Sequence, residues 1–312
     1  MSKHYNIAFV GIGSIGRRHL ANVETYLQQR GDTYSIDLYR SSIKDDVDTH
    51  YQQYRYGDVL PADRKYDIVF VTNPTGMHED AIRKFEHHTK ACFIEKPVFD
   101  TTEIDSAWLN DIKATCYIAC PLRYNAVLTY LKESGLYQSA IAVRAICSSY
   151  LPEWRPNIDY RKCYSAHRDM GGGVAIDLIH EWDYLSWIWG MPEICYSIQD
   201  KVSDLVIDSD DIALYIAKYP KMTIELHLDY FGRVPMRQLQ LFTSDDTIVC
   251  DLLGGSIEHL KSRERRTFDT ERNAFQMREI AHFFDIVDGK IENDNDIAHS
   301  LDVLRLAKGE KQ

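Results

Sequence analysis

The sequence predicts an α/β protein: an N-terminal doubly wound parallel sheet, then an α+β domain with a large, mostly antiparallel sheet. Three observations predict it. A short apolar run, Tyr5 to Val10, leads at once into Gly11-Ile12-Gly13-Ser14-Ile15-Gly16. Apolar runs then alternate with helix-compatible stretches as far as about Leu122, the pattern of βαβ units that cross over right-handedly. Beyond that point longer strands alternate in polarity, as in Thr223 to Tyr230, where Ile224, Leu226, Leu228 and Tyr230 share one face.

The elements follow in order. Tyr5 to Val10 is nearly continuous in apolar character, as a strand buried on both faces requires. A helix is expected from Ile15 to about Gln29 and a second strand from Ser35 to Arg40. Tyr66 to Thr72 is a further strand, ending at Asn73-Pro74. A helix from His78 to about His87 precedes the strand Ala91 to Glu95. Thr102 to about Lys113 reads as a helix and Cys116 to Cys120 as a strand. In the second half, helices are expected at Gly173 to Trp189 and from about Asn273 onward. The expected domains are residues 1–122 and 123–312, in line with roughly 100–200 residues per domain.

Composition narrows the function. The 312 residues are 45% hydrophobic and 27% charged, which argues against disordered and fibrous classes. Net charge is −11, so neither nucleic acid nor an anionic membrane is an expected partner. The best basic stripe, Lys261 to Arg266, is short, interrupted by Glu264, and reads as a solvated turn or helix end. No run approaches the roughly 20 apolar residues of a membrane span. The start of the chain runs straight into a strand, so no secretory signal and a cytoplasmic location are expected. Seven scattered cysteines without a CxxC pair imply reduced thiols and no metal site.

Four segments carry chemistry. Between a strand and a helix, GxGxxG is a dinucleotide-binding loop: Gly11 for the tight turn, Gly13 for approach of the pyrophosphate, Gly16 for helix–strand packing. A plain glycine turn is the competing account. At the end of the second strand, an acidic residue would hold the ribose hydroxyls and an arginine the extra phosphate. Arg40-Ser41-Ser42 stands there, favouring NADP over NAD; Asp37 lies inside the strand and is expected to point elsewhere. Lys96, in Glu95-Lys96-Pro97, follows a strand at the carboxyl edge where ligands bind. It can stabilise charge on a substrate oxygen, though most lysines are simply solvated. Pro97 fixes the turn there, with a cis bond as one option. Finally, Gly171-Gly172-Gly173 precedes Asp177, His180, Glu181 and Asp183. On one helix, Asp177, His180 and Asp183 step by three and share a face. A histidine near a carboxylate suits general acid–base work, and equally a satisfied core network.

Together these segments resemble the glucose–fructose oxidoreductase and inositol dehydrogenase family, the Gfo/Idh/MocA group. The resemblance runs through Gly11 to Gly16, Thr72 to His78 (TNPTGMH), Glu95 to Pro97, Arg123-Tyr124, Gly171 to Asp183 and the helical tail after Phe275. It implies a Rossmann domain plus a sheet domain whose open face makes homodimers or homotetramers. It also implies hydride exchange between nicotinamide and a carbinol or carbonyl carbon of a sugar, polyol or sugar acid. By that resemblance Lys96 orients and polarises the reacting oxygen, and His180 exchanges its proton with help from Asp177. The implied cofactor contacts are Gly11, Gly13, Ser14, Ile15, Gly16, Arg40, Ser41, Asn73, Pro74, His78, Glu95, Lys96, Pro97 and Arg123.

The family commonly spaces its aspartate and histidine as Asp-x-x-x-His, whereas Asp177 and His180 have two residues between them. About 100° per residue then moves the carboxylate round the helix, and Asp183 is the first substitute. The segment Tyr150 to Pro156, with Asp159-Tyr160-Arg161, resembles one in members associated with bacterial surface-sugar or sialic-acid-like pathways. Tyr150, Trp154 and Arg155 are therefore substrate-contact candidates with Lys96, His180 and Asp183, since arginine pairs bidentately with anionic groups. The same loop would also serve to brace the domains. Two other readings remain: a dinucleotide-binding regulator without turnover, and a redox-neutral NAD-dependent glycoside hydrolase.

Overall fold

Four aromatic side chains lie in register across the middle of the N-terminal sheet. Phe9 stands opposite Phe70, Phe70 opposite Phe93, and Phe93 opposite Tyr117. Their ring centroids are 4.5, 4.9 and 5.6 Å apart, and all four are buried. Each sits inside one of the apolar runs, so burying the runs builds the row. The computed structural model describes residues 2–44, 46, 47 and 50–310. It divides into two units, Met1–Ala119 with Gln276–Leu301, and Cys120–Phe275 with Asp302–Gln312.

In the first unit the order is β1 (His4–Val10), α1 (Ser14–Arg30), β2 (Thr33–Arg40), β3 (Gln52–Arg55), β4 (Tyr66–Val71), α2 (His78–Phe85), β5 (Thr89–Ile94), α3 (Ser106–Asp111) and β6 (Thr115–Ile118). The six strands pair in parallel in the order β3-β2-β1-β4-β5-β6. The chain works outward from β1 and then returns to its other side with β4. That reversal opens a crevice beyond the carboxyl ends of β1 and β4, where such sheets bind ligands. Leu20, Val23 and Leu27 form the buried stripe of α1. The helix stops at Gly31, whose φ of 72° lets its N–H turn back to the Gln28 carbonyl.

Three expectations change. The strand β3 was not anticipated, because Gln-Gln-Tyr-Arg at a sheet edge has no apolar run. The helix expected over 102–113 is shorter, since Asp105 caps it: its carboxylate accepts the Ala107 N–H at 2.9 Å and the Trp108 N–H at 3.4 Å. The domain division also differs from 1–122 and 123–312. A helix from Arg272 to Val287 returns Ile280, Phe283 and Phe284 to the first unit's core. Phe283 lies 5.2 Å from Phe93 and 5.7 Å from Tyr117. The aromatic row needs a cover, and this returning helix supplies part of it.

The second unit begins with α4 (Ala126–Glu133), β7 (Ala142–Tyr150), α5 (Val174–Asp177) and α6 (His180–Trp189). Then come β8 (Ile194–Asp200), β9 (Ile212–Lys218), β10 (Thr223–Asp229), β11 (Phe231–Phe242), β12 (Thr247–Asp251), β13 (Ser256–His259) and β14 (Arg265–Thr267). The returning helix is α7, and α8 (Ile297–Ala307) closes the chain. The eight strands run β14-β13-β12-β11-β7-β10-β9-β8, antiparallel except for β7 beside β10. Ile224, Leu226, Leu228 and Tyr230 are all buried, as their alternation requires. Trp182 of α6 packs edge-on against Tyr215 on that face, 5.3 Å between centroids. The segment 261–266 is exposed, forming the β13–β14 turn and part of β14. No helix among the described residues is long and apolar enough to cross a membrane.

Candidate active site

The three glycines of the first loop do different jobs. Gly11 has a φ of 90°, and a Cβ there would lie 2.7 Å from Asn73 Cα. A Cβ on Gly16 would lie 2.4 Å from the Gly11 carbonyl oxygen and 2.8 Å from Thr72 Oγ1. These two glycines are required by the protein's own packing. Gly13 is different, for among the described residues nothing lies within 4 Å of where its Cβ would be. It leaves space open beside the first turn of α1. That turn has no side-chain cap and no acidic residue, so its leading N–H groups and positive dipole end are offered to an anion. A dinucleotide pyrophosphate fits this chemistry. Ser14 and Ile15, the first residues of α1, are exposed and half-buried beside it.

The loop after β4 is bound to the glycine loop and to the loop after β5. Thr72 Oγ1 donates to the Gly11 carbonyl at 2.6 Å, and Asn73 Nδ2 donates to Met77 O at 3.2 Å. Pro74 is exposed at the head of the following 3-10 turn. His78, expected by resemblance to contact the cofactor, is buried. Its Nε2 lies 3.0 Å from Asn73 O and its Nδ1 3.1 Å from Val98 O. Burial pushes its pKa down. Its ring braces the two loops.

Glu95 continues the line of β5, its N–H donating to Val71 O at 3.0 Å. Its Oε1 lies 2.5 Å from Nε2 of His19, a buried residue of α1 packed on Phe93. Burial pushes the Glu95 carboxyl up, but the His19 hydrogen bond and the charges of His19 and Lys96 outweigh it, leaving the group below its ordinary value. The Glu95 carboxylate is thus held by His19, so it ties the pyrophosphate helix to the loop carrying Lys96. Lys96 is half-buried and joined to the buried Pro97 by a cis peptide bond.

Arg40 ends β2 and is 8% exposed. Its Nη1 lies 2.6 Å from Asp46 Oδ1, and its Nη2 donates to Asp46 Oδ2 at 3.1 Å. Ser41 beside it is exposed. Asp37 does point elsewhere, accepting from Tyr66 Oη at 2.7 Å and pairing with Arg64 at 2.5 Å.

In the second unit the expected single helix over 173–189 is two. Leu178 has φ −98° and ψ 26°, outside the helical range, and separates α5 from α6. The argument from 100° per residue therefore fails: Asp177 ends one helix and His180 starts the next. Asp177 is buried and accepts from Tyr230 Oη at 2.5 Å, with Tyr164 as a further hydrogen-bond partner. His180 is half-buried at the head of α6. Asp183 is not a free substitute for Asp177. Its carboxylate takes both Nε and Nη2 of Arg123, at 2.9 and 2.6 Å, with both side chains buried. Arg123, expected at the cofactor, and Asp183, expected at the substrate, are thus paired with each other and both buried. Below them Glu181 pairs with Arg237 of β11 at 2.7 Å. Burial pushes the Glu181 carboxyl up against the opposing Arg237 charge. This fastens α6 to the sheet.

The 150–161 segment folds as a loop with short 3-10 turns. Trp154 is partly exposed, donates Nε1 to Ser149 Oγ at 2.9 Å, and meets Tyr230 edge-on at 5.2 Å. Tyr230 in turn holds Asp177, so this loop connects physically to α5. Arg155 is exposed, with Nη1 3.7 Å from Cys163 Sγ. The half-buried Tyr150 carries the Arg233 guanidinium 3.8 Å above its ring. Sequence reasoning missed His19, Asp46, Tyr164, Tyr230 and Arg237. Only Arg237, a cation within the alternating strand β11, left a trace that could have been read.

An open glycine, an uncapped helix N-terminus and a parallel sheet reversing at that point define a dinucleotide-binding protein of the Rossmann class. Residues 5–110 match the GFO_IDH_MocA model, an oxidoreductase family with an NAD-binding Rossmann fold. The uncharacterized oxidoreductase YrbE of Bacillus subtilis (strain 168) is 27% identical over 200 residues, 61% of this chain and 55% of that protein. The match thus spans about half the length of that relative. Residues 5–110 thus match the NAD-binding domain of the Gfo/Idh/MocA oxidoreductase family. Solved structures share its fold. UDP-N-acetylglucosamine 3-dehydrogenase GnnA from Acidithiobacillus ferrooxidans is 20% identical with a TM-score of 0.74, covering 98% of this chain and 96% of that one. The WlbA dehydrogenase from Bordetella pertussis, in complex with NADH and UDP-GlcNAcA, is 16% identical with a TM-score of 0.78, covering 98% and 95%. Levoglucosan dehydrogenase, in complex with NADH and levoglucosan, is 14% identical with a TM-score of 0.79, covering 98% and 96%.

Proposed function

We propose that this chain is an NADP-preferring dehydrogenase. It moves a hydride between nicotinamide and a carbinol or carbonyl carbon of a sugar, polyol or sugar acid. The observation that carries the reading is the carboxyl edge of the parallel sheet, where the open Gly13 and uncapped α1 stand on the same edge as Lys96. Gly11, Gly13, Gly16 and the first turn of α1 would hold the dinucleotide, which supplies the hydride acceptor or donor. During oxidation Lys96 stabilises negative charge on the substrate oxygen and His180 takes the hydroxyl proton. Tyr150, Trp154 and Arg155 are assigned to the substrate, with Arg155 suited to an anionic sugar. Solved structures of the same fold are named for sugars, which supports a sugar-like substrate, and the 150–161 resemblance supports surface-sugar metabolism.

The NADP assignment rests on Arg40. Titration with each reduced nucleotide, followed by nicotinamide fluorescence, is expected to show tighter binding of NADPH. Arg40→Ala should weaken NADPH about tenfold, the loss of one charge-assisted pair, while NADH changes by less than about twofold. Tighter NADH binding by the unaltered protein sinks the assignment and leaves the fold reading intact.

We also assign a homodimer or homotetramer formed through the open sheet face. At its β8–β9 end Ile194, Tyr196, Ile198 and Ile216 are exposed together, with Tyr196 paired to Ile216 and Ile198 to Leu214. An apolar stripe of this kind marks an interaction surface. Sedimentation should show an oligomer that Ile198→Glu shifts toward the monomer. A monomeric unaltered protein at micromolar concentration removes the assignment.

A further inference from the structure

Two arginines from different elements converge on one carboxylate beyond the end of β2. Arg40 reaches both oxygens of Asp46, at 2.6 and 3.1 Å. Arg17, one residue past Gly16 in α1, contacts Oδ2 and also donates Nη1 to the Asp46 carbonyl at 3.1 Å. Gln53 Oε1 accepts from Arg40 Nη1 at 3.2 Å, a further polar contact at this guanidinium. Arg40 is nearly buried, whereas the Asp46 side chain is 43% exposed. Arg40 is thus built into the fold, whereas Arg17 and Asp46, 41% and 43% exposed, lie at its surface. Hydrogen bonds from Arg40 hold the Asp46 carboxyl down at about 2, so it is ionised at neutral pH.

A buried guanidinium needs an anion, and in this arrangement the protein provides its own. With Asp46 in place the trio carries one net positive charge, and without it two. The place in the fold, the carboxyl end of the second strand, is where a Rossmann domain reads the adenosine ribose. We propose that Asp46 is a specificity-determining residue: its carboxylate occupies a two-arginine anion site, and a ribose 2′-phosphate binds there by displacing it. The inference rests on the dinucleotide reading above and adds a competitor within the protein. Displacement moves a half-exposed carboxylate into water and leaves both arginines paired to a phosphate of greater charge. The exchange therefore favours phosphate, by less than an open site would.

The test uses the full chain and two fragments, 2′,5′-ADP and 5′-AMP, alongside NADPH and NADH, with affinities from calorimetry. Asp46→Asn should tighten 2′,5′-ADP and NADPH about tenfold, as removal of a competing charge-assisted pair predicts, and leave 5′-AMP and NADH within about twofold. Asp46→Ser, checked by thermal melting for an intact fold, should do the same. Unchanged 2′,5′-ADP affinity in both variants overturns the proposal. So does weaker NADH binding with NADPH unchanged, which would make Asp46 a ribose-hydroxyl acceptor. Arg40→Ala separates the two failures. If it weakens 2′,5′-ADP while the Asp46 variants do not alter it, only the role of Asp46 falls. If neither arginine nor aspartate matters, the NADP reading falls with it.

Discussion

Alanine at Asp183 is expected to destabilise the second unit by about 3–5 kcal/mol, the cost of removing one side of a buried ion pair. The Arg123 guanidinium is 2% exposed and makes two parallel hydrogen bonds to Asp183. Removing the carboxylate leaves that cation away from water, facing Trp187 at 6.0 Å. Domains are stable by only about 5–15 kcal/mol, so the variant should sit near the edge of folding. Replacing both partners with apolar residues of similar size, as in Arg123→Met with Asp183→Leu, should restore much of the loss. Urea unfolding followed by tryptophan fluorescence reads the second unit, since Trp182, Trp187 and Trp189 lie on α6. A single-variant loss under about 1 kcal/mol would mean the pair is not what holds the 3-10 turn Pro121–Tyr124, which carries Arg123, to α6.

Removing the His180 imidazole should lower kcat by about 10²–10⁴, the usual contribution of a positioned general acid or base. His180 is suited to this by its place, half-buried at the head of α6 and just past the break that ends α5. The helix beneath it is held by the buried pair of Asp183 with Arg123 and by the buried Glu181 on the half-buried Arg237. The ring therefore stands on a rigid base. Lys96→Met should show a companion loss of about 10²–10³, as for a group that stabilises charge on oxygen. In His180→Ala, NADPH should bind as it does to the unaltered protein, because the dinucleotide loop lies in the other unit. Initial rates with any sugar or polyol that turns over would decide the matter. A kcat within fivefold of the unaltered value assigns His180 to the core network instead.

These predictions divide according to what was legible in the sequence. The Rossmann sheet was readable from short-range features: apolar runs such as Tyr66 to Val71, and glycines that must be glycines because a Cβ would collide. Such signals are local, for they depend on a residue and its neighbours within a few positions. Lys96 was readable in the same way, at the end of a strand. The roles of Arg123 and Asp183 were not, because their pairing spans 60 positions and leaves no mark on periodicity.

The same reason covers the rest. Backbone pattern and side-chain polarity over one element's length specify the parallel sheet, the dinucleotide loop and the alternating second sheet. Long-range packing decided that His19 holds Glu95 across 76 positions, and that α7 returns to cover the aromatic row. It also decided that Leu178 breaks the helix between Asp177 and His180, and that Asp46 takes Arg40 and Arg17. Each of these follows from a buried polar or apolar group that must find a partner, and the fold determines which partner is near.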